Sequence, residues 1–231
     1  MRVSICIPTY DNDGSYLSLI KQNLESCISQ DYHNYEIVVS DHSPGDNVKN
    51  LILSLKSDKI KYIKNINNVG YPAHNTNNAI LNSSGDFIKI MNQDDYFNNS
   101  SVLTNMMELT KTYKWVLNGF NHLTSGTDIY YNPTIPRIDG NGKGLLDGIN
   151  TIGCPSVGLI PKGELIDVDV TYMIDCELWY RLFIKYGDPG IVNDHSIIIV
   201  MGDHNLSAKL SNDSGSMIQQ DKQYCYKKYD L

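Results

Sequence analysis

The amino-terminal part of the chain alternates between two hydrophobic periods, and that alternation leaves few architectures open. Val3–Pro8, Glu36–Ser40, Ile60–Ile63 and Phe87–Met91 are short runs of strand length, rich in Val, Ile and Phe. Between them Leu17, Ile20, Leu24, Cys27 and Ile28 recur at helical spacing, as do Val48, Leu51, Ile52 and Leu55. A third helix is predicted over Pro72–Leu81, with proline in its first turn. Strand and helix in turn favour a parallel sheet, because a crossover between parallel strands needs the length of a helix. Ligands on such sheets bind beyond the carboxyl ends of the strands, so the residues just after each strand are where chemistry is sought.

The remainder is less regular. Helices are predicted over Asn99–Tyr113, Asp175–Tyr186 and Ser214–Tyr229, and strands over Lys114–Phe120, Asp128–Tyr131 and Ser196–Met201. Asn132–Gly144 is a Pro-, Gly- and Asn-rich loop. No repeat and no linker divides the chain, so residues 1–231 are expected to form a single domain with halves of about 1–98 and 99–231. Gly140-Asn141-Gly142-Lys143-Gly144 lacks the ending of a phosphate loop, and no G-x-G-x-x-G follows the first strand, which counts against a nicotinamide dehydrogenase.

Charge narrows the partners. With 26 acidic against 19 basic residues the chain carries −7, the wrong sign for gripping nucleic acid, so no nucleic-acid partner is expected. The arginines are Arg2, Arg137 and Arg181, too few and too scattered for a cluster of bidentate phosphate clamps, so an anionic ligand must be held locally, for instance through a metal. The 16 tyrosines offer flat faces with a polar tip, which suit sugars and bases as well as half-buried packing. The five cysteines are odd in number, dispersed and without a C-x-x-C pair, so reduced thiols are expected. Neither a signal peptide nor an apolar run of membrane-spanning length is visible, and a cytoplasmic location follows as the expectation.

The post-strand segments read Pro8-Thr9-Tyr10-Asp11, then Ser40-Asp41, then Asn68-Val69-Gly70 leading into Ala73-His74-Asn75, then Asn92-Gln93-Asp94-Asp95. Carboxylates at a strand end suit Mg²⁺ or Mn²⁺, which accept one or two Asp and leave room for a substrate diphosphate. Taken alone, an Asp-Asp pair there is more often a solvated turn that caps the next helix.

In this order, and together with Ser84-Gly85-Asp86-Phe87-Ile88, the segments resemble the glycosyltransferase family 2 catalytic domain over about the first hundred residues. The resemblance implies an α/β fold of GT-A type: one mostly parallel, Rossmann-like sheet flanked by helices, with a smaller antiparallel acceptor-side portion. It makes the first half the nucleotide-sugar-binding half and the second the acceptor-binding half. It implies a nucleotide site built from Pro8, Thr9, Tyr10, Asp41, Asn68, Gly70, His74 and Asp94, with Thr9, Tyr10 and Asp41 around the nucleobase and Asp94 near the ribose or diphosphate. Asp95 is implied as metal ligand for Mn²⁺ or Mg²⁺, and His204 as a metal or diphosphate contact, against the plainer reading of an exposed loop histidine. Ile174-Asp175-Cys176-Glu177-Leu178-Trp179-Tyr180-Arg181-Leu182 resembles the family's helix with the catalytic base, which falls on Asp175; Glu177 is its nearest competitor.

Asn92 stands where a further Asp is usual, and His74 where an Arg is usual, so His74 is either a nucleotide contact or a neutral helix residue. The resemblance implies inverting, metal-dependent transfer from a nucleoside diphosphate sugar, UDP-linked, to a saccharide or lipid-linked saccharide acceptor in surface polysaccharide assembly. Lys222, Lys227 and Lys228 among Tyr224, Tyr226 and Tyr229 form the surface a peripheral membrane contact would use, or else a solvated terminal helix. The alternatives are a nucleotide-sugar-binding protein without transfer activity and a nucleotidyltransferase, the latter disfavoured by the absence of a basic Gly-rich amino-terminal loop.

Overall fold

β1 (Val3–Thr9) is the strand around which the sheet is assembled. Its residues Val3, Ile5, Cys6 and Ile7 are fully buried, since parallel neighbours flank it on both edges and helices cover it on both faces. The computed structural model describes residues 1–202, 205 and 214–231. After β1 come α1 (Leu17–Ile28), β2 (Tyr35–Asp41), α2 (Asn47–Leu55), β3 (Ile60–Lys64), α3 (Pro72–Leu81) and β4 (Phe87–Ile90). The predicted βαβ alternation is thus what the chain adopts. The second half runs through β5 (Tyr96–Phe97), α4 (Val102–Leu109), β6 (Val116–Thr124), β7 (Tyr130–Thr134) and the short α5 (Lys143–Leu146). It ends with β8 (Gly158–Pro161), α6 (Ile174–Tyr186), β9 (Gly190–Met201) and α7 (Ser214–Lys228).

One sheet passes through both halves in the order β3-β2-β1-β4-β8-β6-β9-β5, with β7 on the side of β6. β3, β2, β1 and β4 are parallel, β8 is antiparallel to both β4 and β6, and β9 returns parallel to β6. β8 and β5 were not expected from the sequence. β8 lies in a Gly- and Pro-punctuated stretch with little strand signal, and its ladder partners, β4 and β6, are what make it a strand. The loop expected at Asn132–Gly144 instead contributes its first residues to β7 and its last to α5.

α6 is fixed by its tryptophan. Trp179 is fully buried, stacks on Trp115 with ring centroids 6.0 Å apart, and donates its indole N–H to the Gly153 carbonyl at 2.8 Å. Gly158 opens β8 directly against that indole, and a Cβ there would lie 2.4 Å from a ring carbon. Among the described residues no helix is long and apolar enough to cross a membrane.

Because the indole is wedged between Trp115 and the sheet, it cannot yield to a methyl group. Gly158→Ala is therefore expected to cost about 2–3 kcal/mol. Urea denaturation checks this, and an unchanged midpoint would show that α6 is not seated by this contact.

Candidate active site

A cleft of about 760 Å³ opens over the carboxyl ends of β1 and β4, walled on its far side by the start of α6 and the end of β9. Pro8, Thr9 and Tyr10 leave β1 along its edge. The Tyr10 N–H donates to the Gln93 side-chain oxygen at 2.7 Å, and the Gln93 amide returns a bond to the Tyr10 carbonyl at 3.2 Å, which ties the loop after β1 to the loop after β4.

Asp41 ends β2 and is fully buried rather than part of the cleft wall. It accepts from the Thr9 hydroxyl at 3.1 Å, the Ser43 N–H at 2.9 Å and the Tyr62 hydroxyl at 2.8 Å, with the Lys64 ammonium 3.6 Å away. Burial and the hydrogen bond to this carboxylate both raise the Tyr62 phenol, which stays protonated. The next residue, His42, does face the cleft; its Nε2 lies 3.0 Å from the Asn67 carbonyl, and burial lowers its pKa, so the ring is neutral. His42 was not singled out from the sequence, although its place directly after a strand-end Asp was a usable signal.

Gly70 and, on α3, Ala73 and Asn75 complete the nucleotide side. Asn75 is nearly buried and stitches the strand ends together, donating to the Thr9 and Ser40 carbonyls at 3.1 and 3.0 Å and accepting from the Ser40 hydroxyl at 2.6 Å. His74 and Asn68 are not part of the cleft wall. His74 meets Tyr71 edge-on at 5.9 Å, and its Nδ1 lies 3.3 Å from the Asn68 amide.

The adjacent carboxylates after β4 part company. Asp95 is 1% exposed, and its oxygens are taken by the Ser156 hydroxyl at 2.5 Å, the Asn92 amide and the Val200 N–H, each at 3.1 Å, and the Cys154 thiol at 3.4 Å. Burial, then the neighbouring Asp94 charge, push its pKa up to about 7. A metal on Asp95 would have to displace these donors. The departure at Asn92 has a structural sense, because its side chain supplies Asp95 with a donor where a carboxylate would repel it. Asp94 is half-buried on the cleft wall, with the Asn205 amide 3.0 Å from its Oδ2. His204 lies outside the described residues.

Across the cleft, Asp175 sits in the first turn of α6, whose N-cap is Met173. Its Oδ1 accepts the Cys176 N–H at 2.9 Å and its Oδ2 accepts from the Asn150 amide at 2.7 Å. Burial among protein atoms raises its pKa to about 6. The turn before α6 is held from below by Asp221 of α7, nearly buried, which accepts the N–H groups of Thr171, Tyr172 and Met173 at 3.1, 2.6 and 2.9 Å. Glu177 is fully buried away from the cleft, where it accepts from Arg181 at 3.0 Å and from Lys228 and Tyr229, each at 2.6 Å. Lys222 pairs with Asp147, and Lys228 with Asp167 and Glu177, while Lys227 is exposed.

The family description "Glycosyl transferase family 2" matches residues 4–154. Over 189 residues the chain is 31% identical to an Escherichia coli UDP-Glc:alpha-D-GlcNAc-diphosphoundecaprenol beta-1,3-glucosyltransferase, WfaP, covering 79% of this chain and 70% of that one. Over 117 residues it is 29% identical to a Campylobacter jejuni GalNAc(5)-diNAcBac-PP-undecaprenol beta-1,3-glucosyltransferase, covering 50% of this chain and 37% of the relative, so it spans little more than a third of that protein's length. The fold is shared with the S. aureus TarS 1-349 crystal structure in complex with UDP-GlcNAc, at TM-score 0.69 and 15% identity, over 96% of this chain and 65% of that one. It is shared too with a Pyrobaculum calidifontis mannosyltransferase in complex with GDP-Man and Mn²⁺, at TM-score 0.64 and 16% identity, over 95% and 62% of the two chains. These likenesses are those of a GT-A fold.

Asp95→Ala strands several buried donors at once. It is expected to destabilise the protein by about 2–4 kcal/mol, well beyond a surface Asp→Ala change. Thermal unfolding near pH 7 measures this; a loss under half a kilocalorie would mean the donors find water instead.

Proposed function

The chain belongs to glycosyltransferase family 2, and on that premise we propose that it transfers a sugar from a UDP-linked donor, with inversion, to a hydroxyl of a saccharide or lipid-linked saccharide acceptor. The observation that carries this reading is a single cleft that sets Asp94, beside the nucleotide-side loops and next to the enclosed Asp95, opposite Asp175 with its raised pKa. A pKa near 6 leaves Asp175 ionised at neutral pH yet basic enough to take a proton, the compromise a general base needs. The names of the Escherichia coli and Campylobacter relatives, both with undecaprenol diphosphate-linked acceptors, support an acceptor of that class here.

In the proposed reaction the acceptor hydroxyl enters beside Asp175, whose carboxylate accepts its proton as the oxygen bonds to the anomeric carbon. The bond from that carbon to the diphosphate breaks on the opposite face, and its electron pair leaves with the diphosphate. Asn150 and the Cys176 N–H fix the carboxylate without protonating it, and Asp221 holds the turn that carries it. Pro8, Thr9, Tyr10 and His42 form the base-binding side, with Asp41 acting behind them through Thr9.

The donor set suits Mn²⁺ or Mg²⁺ held by few protein ligands. Among the described residues no three His, Cys, Asp or Glu side chains converge; because the oxygens of Asp95 are taken by protein donors, Asp94 is the residue that would hold such an ion. The ion would supply charge neutralisation to the departing diphosphate. The same sparse donor set is what favours the second reading, a nucleotide-sugar-binding protein without transfer.

Asp175→Asn keeps the shape and the Cys176 contact but cannot take a proton. It is expected to retain UDP binding and lose transfer by roughly 10²-fold or more, while the wild-type rate falls as pH drops below about 6. Since the folded pKa of Asp175 lies above its ordinary value, the carboxylate's contribution to stability is greatest at acid pH and is lost as pH rises through about 6. The Asn variant should therefore be the more stable protein at pH 8, with the gap closing toward pH 4. Diphosphate release from a panel of UDP-sugars, and unfolding at both pH values, read these outcomes; wild-type turnover by Asp175→Asn would remove Asp175 as the base. Asp94→Ala is expected to stay folded and lose Mn²⁺-dependent UDP binding by calorimetry. Unchanged affinity would return the metal to Asp95.

A further inference from the structure

Resting on the transferase reading, we propose that a second cavity, separate from the donor cleft, binds a non-reacting sugar unit of the acceptor saccharide. This cavity, of about 580 Å³, lies between the amino-terminal half of α1 and the turn joining β6 to β7. Its size is that of a small-molecule site. Leu19, Leu123, Val200 and the ring of Tyr96 form an apolar floor, part of a second, smaller hydrophobic cluster. The walls are polar and include Ser18, Gln22, Thr127 and Asp128, while Tyr130, 49% exposed, stands at the rim with its hydroxyl 3.2 Å from that of Tyr96.

A pyranose presents C–H faces ringed by hydroxyls. It needs an aromatic or aliphatic surface beneath it and side-chain amides, hydroxyls or a carboxylate around it, and this cavity supplies both. No Lys, Arg or His lines it among the described residues, which disfavours a phosphate or a second nucleotide and favours an uncharged saccharide. Its position ties it to the reaction. Tyr16 lines both cavities, and along β9 Ile199 and Met201 face the donor cleft while Val200, between them, faces this one. The two sites therefore flank the carboxyl end of one strand, where a single oligosaccharide can enter both. A remote sugar held here would add binding energy that orients the reacting hydroxyl.

The test is an NMR titration of the ¹⁵N-labelled chain with N-acetylglucosamine, N,N′-diacetylchitobiose and cellobiose, each to tens of millimolar. Amides of Ser15–Leu19 and Ser125–Asp128 are expected to shift with at least one of these. Tyr130→Ala and Gln22→Ala, both at exposed positions that leave the core untouched, should weaken that binding by roughly tenfold while UDP affinity with Mn²⁺ stays at the wild-type value. Shifts confined to the donor cleft, no shift with any probe, or binding unaffected by both variants would overturn the proposal. Failure of the wild type to bind UDP while the groove amides still move would instead sink the donor assignment and leave the groove's saccharide assignment standing.

Discussion

The buried carboxylate of Asp95 is the knot on which the cleft depends. Three segments donate to it: its own loop through Asn92, the turn before β8 through Cys154 and Ser156, and β9 through Val200. Lys89, fully buried beneath, donates to the Ser156 carbonyl, and burial lowers its pKa to about 8, so an amine and a carboxyl group are joined through one serine inside the core. Removing two ionisable groups from water is costly, and such a knot is stable only when every donor and acceptor is matched. It fixes the height of the β4 loop, and Asp94 is thereby presented on the cleft wall.

A second knot serves the opposite wall. Asp221 collects three successive N–H groups of the turn before α6, and Glu177 collects Arg181, Lys228 and Tyr229. Both pull α7 onto α6, so a helix with a polar, weakly amphipathic sequence is held mainly by charge-assisted hydrogen bonds. Asp175 is carried on the element so braced. Asp175 and Glu177 differ in direction: one carboxylate lines the cleft and the other is buried within the fold, which supports Asp175 over Glu177 as the proposed base.

The two walls thus hold carboxylates in unlike settings. Asp41 lies wholly inside the fold; Asp95 lines the cleft but is 1% exposed and enclosed by donors, while Asp94 and Asp175 line it on opposite sides. Tyr16, just before α1, borders both this cleft and the second cavity.

Much of this was legible in the residues. The alternating periods set the parallel order of β1 to β4, because only a helix-length crossover joins parallel neighbours, and strand ends then bring Thr9, Asp41 and the Asp94-Asp95 pair to one edge. The helical stripe around Trp179 placed Asp175 at the head of α6. The sequence could not tell which of two adjacent Asp residues faces inward. Beyond the last ladder bond the pleat no longer fixes side-chain direction, and Asp95 turns in because Ser156 and Val200, distant in sequence, wait there. For the same reason β8, His42, Asn205 and Asp221 escaped notice: their roles come from partners that only the folded chain brings within hydrogen-bonding reach. Local periodicity determined which elements form and at which end of the sheet the chemistry gathers; long-range packing decided which carboxylates are exposed to a substrate and which hold the walls in place.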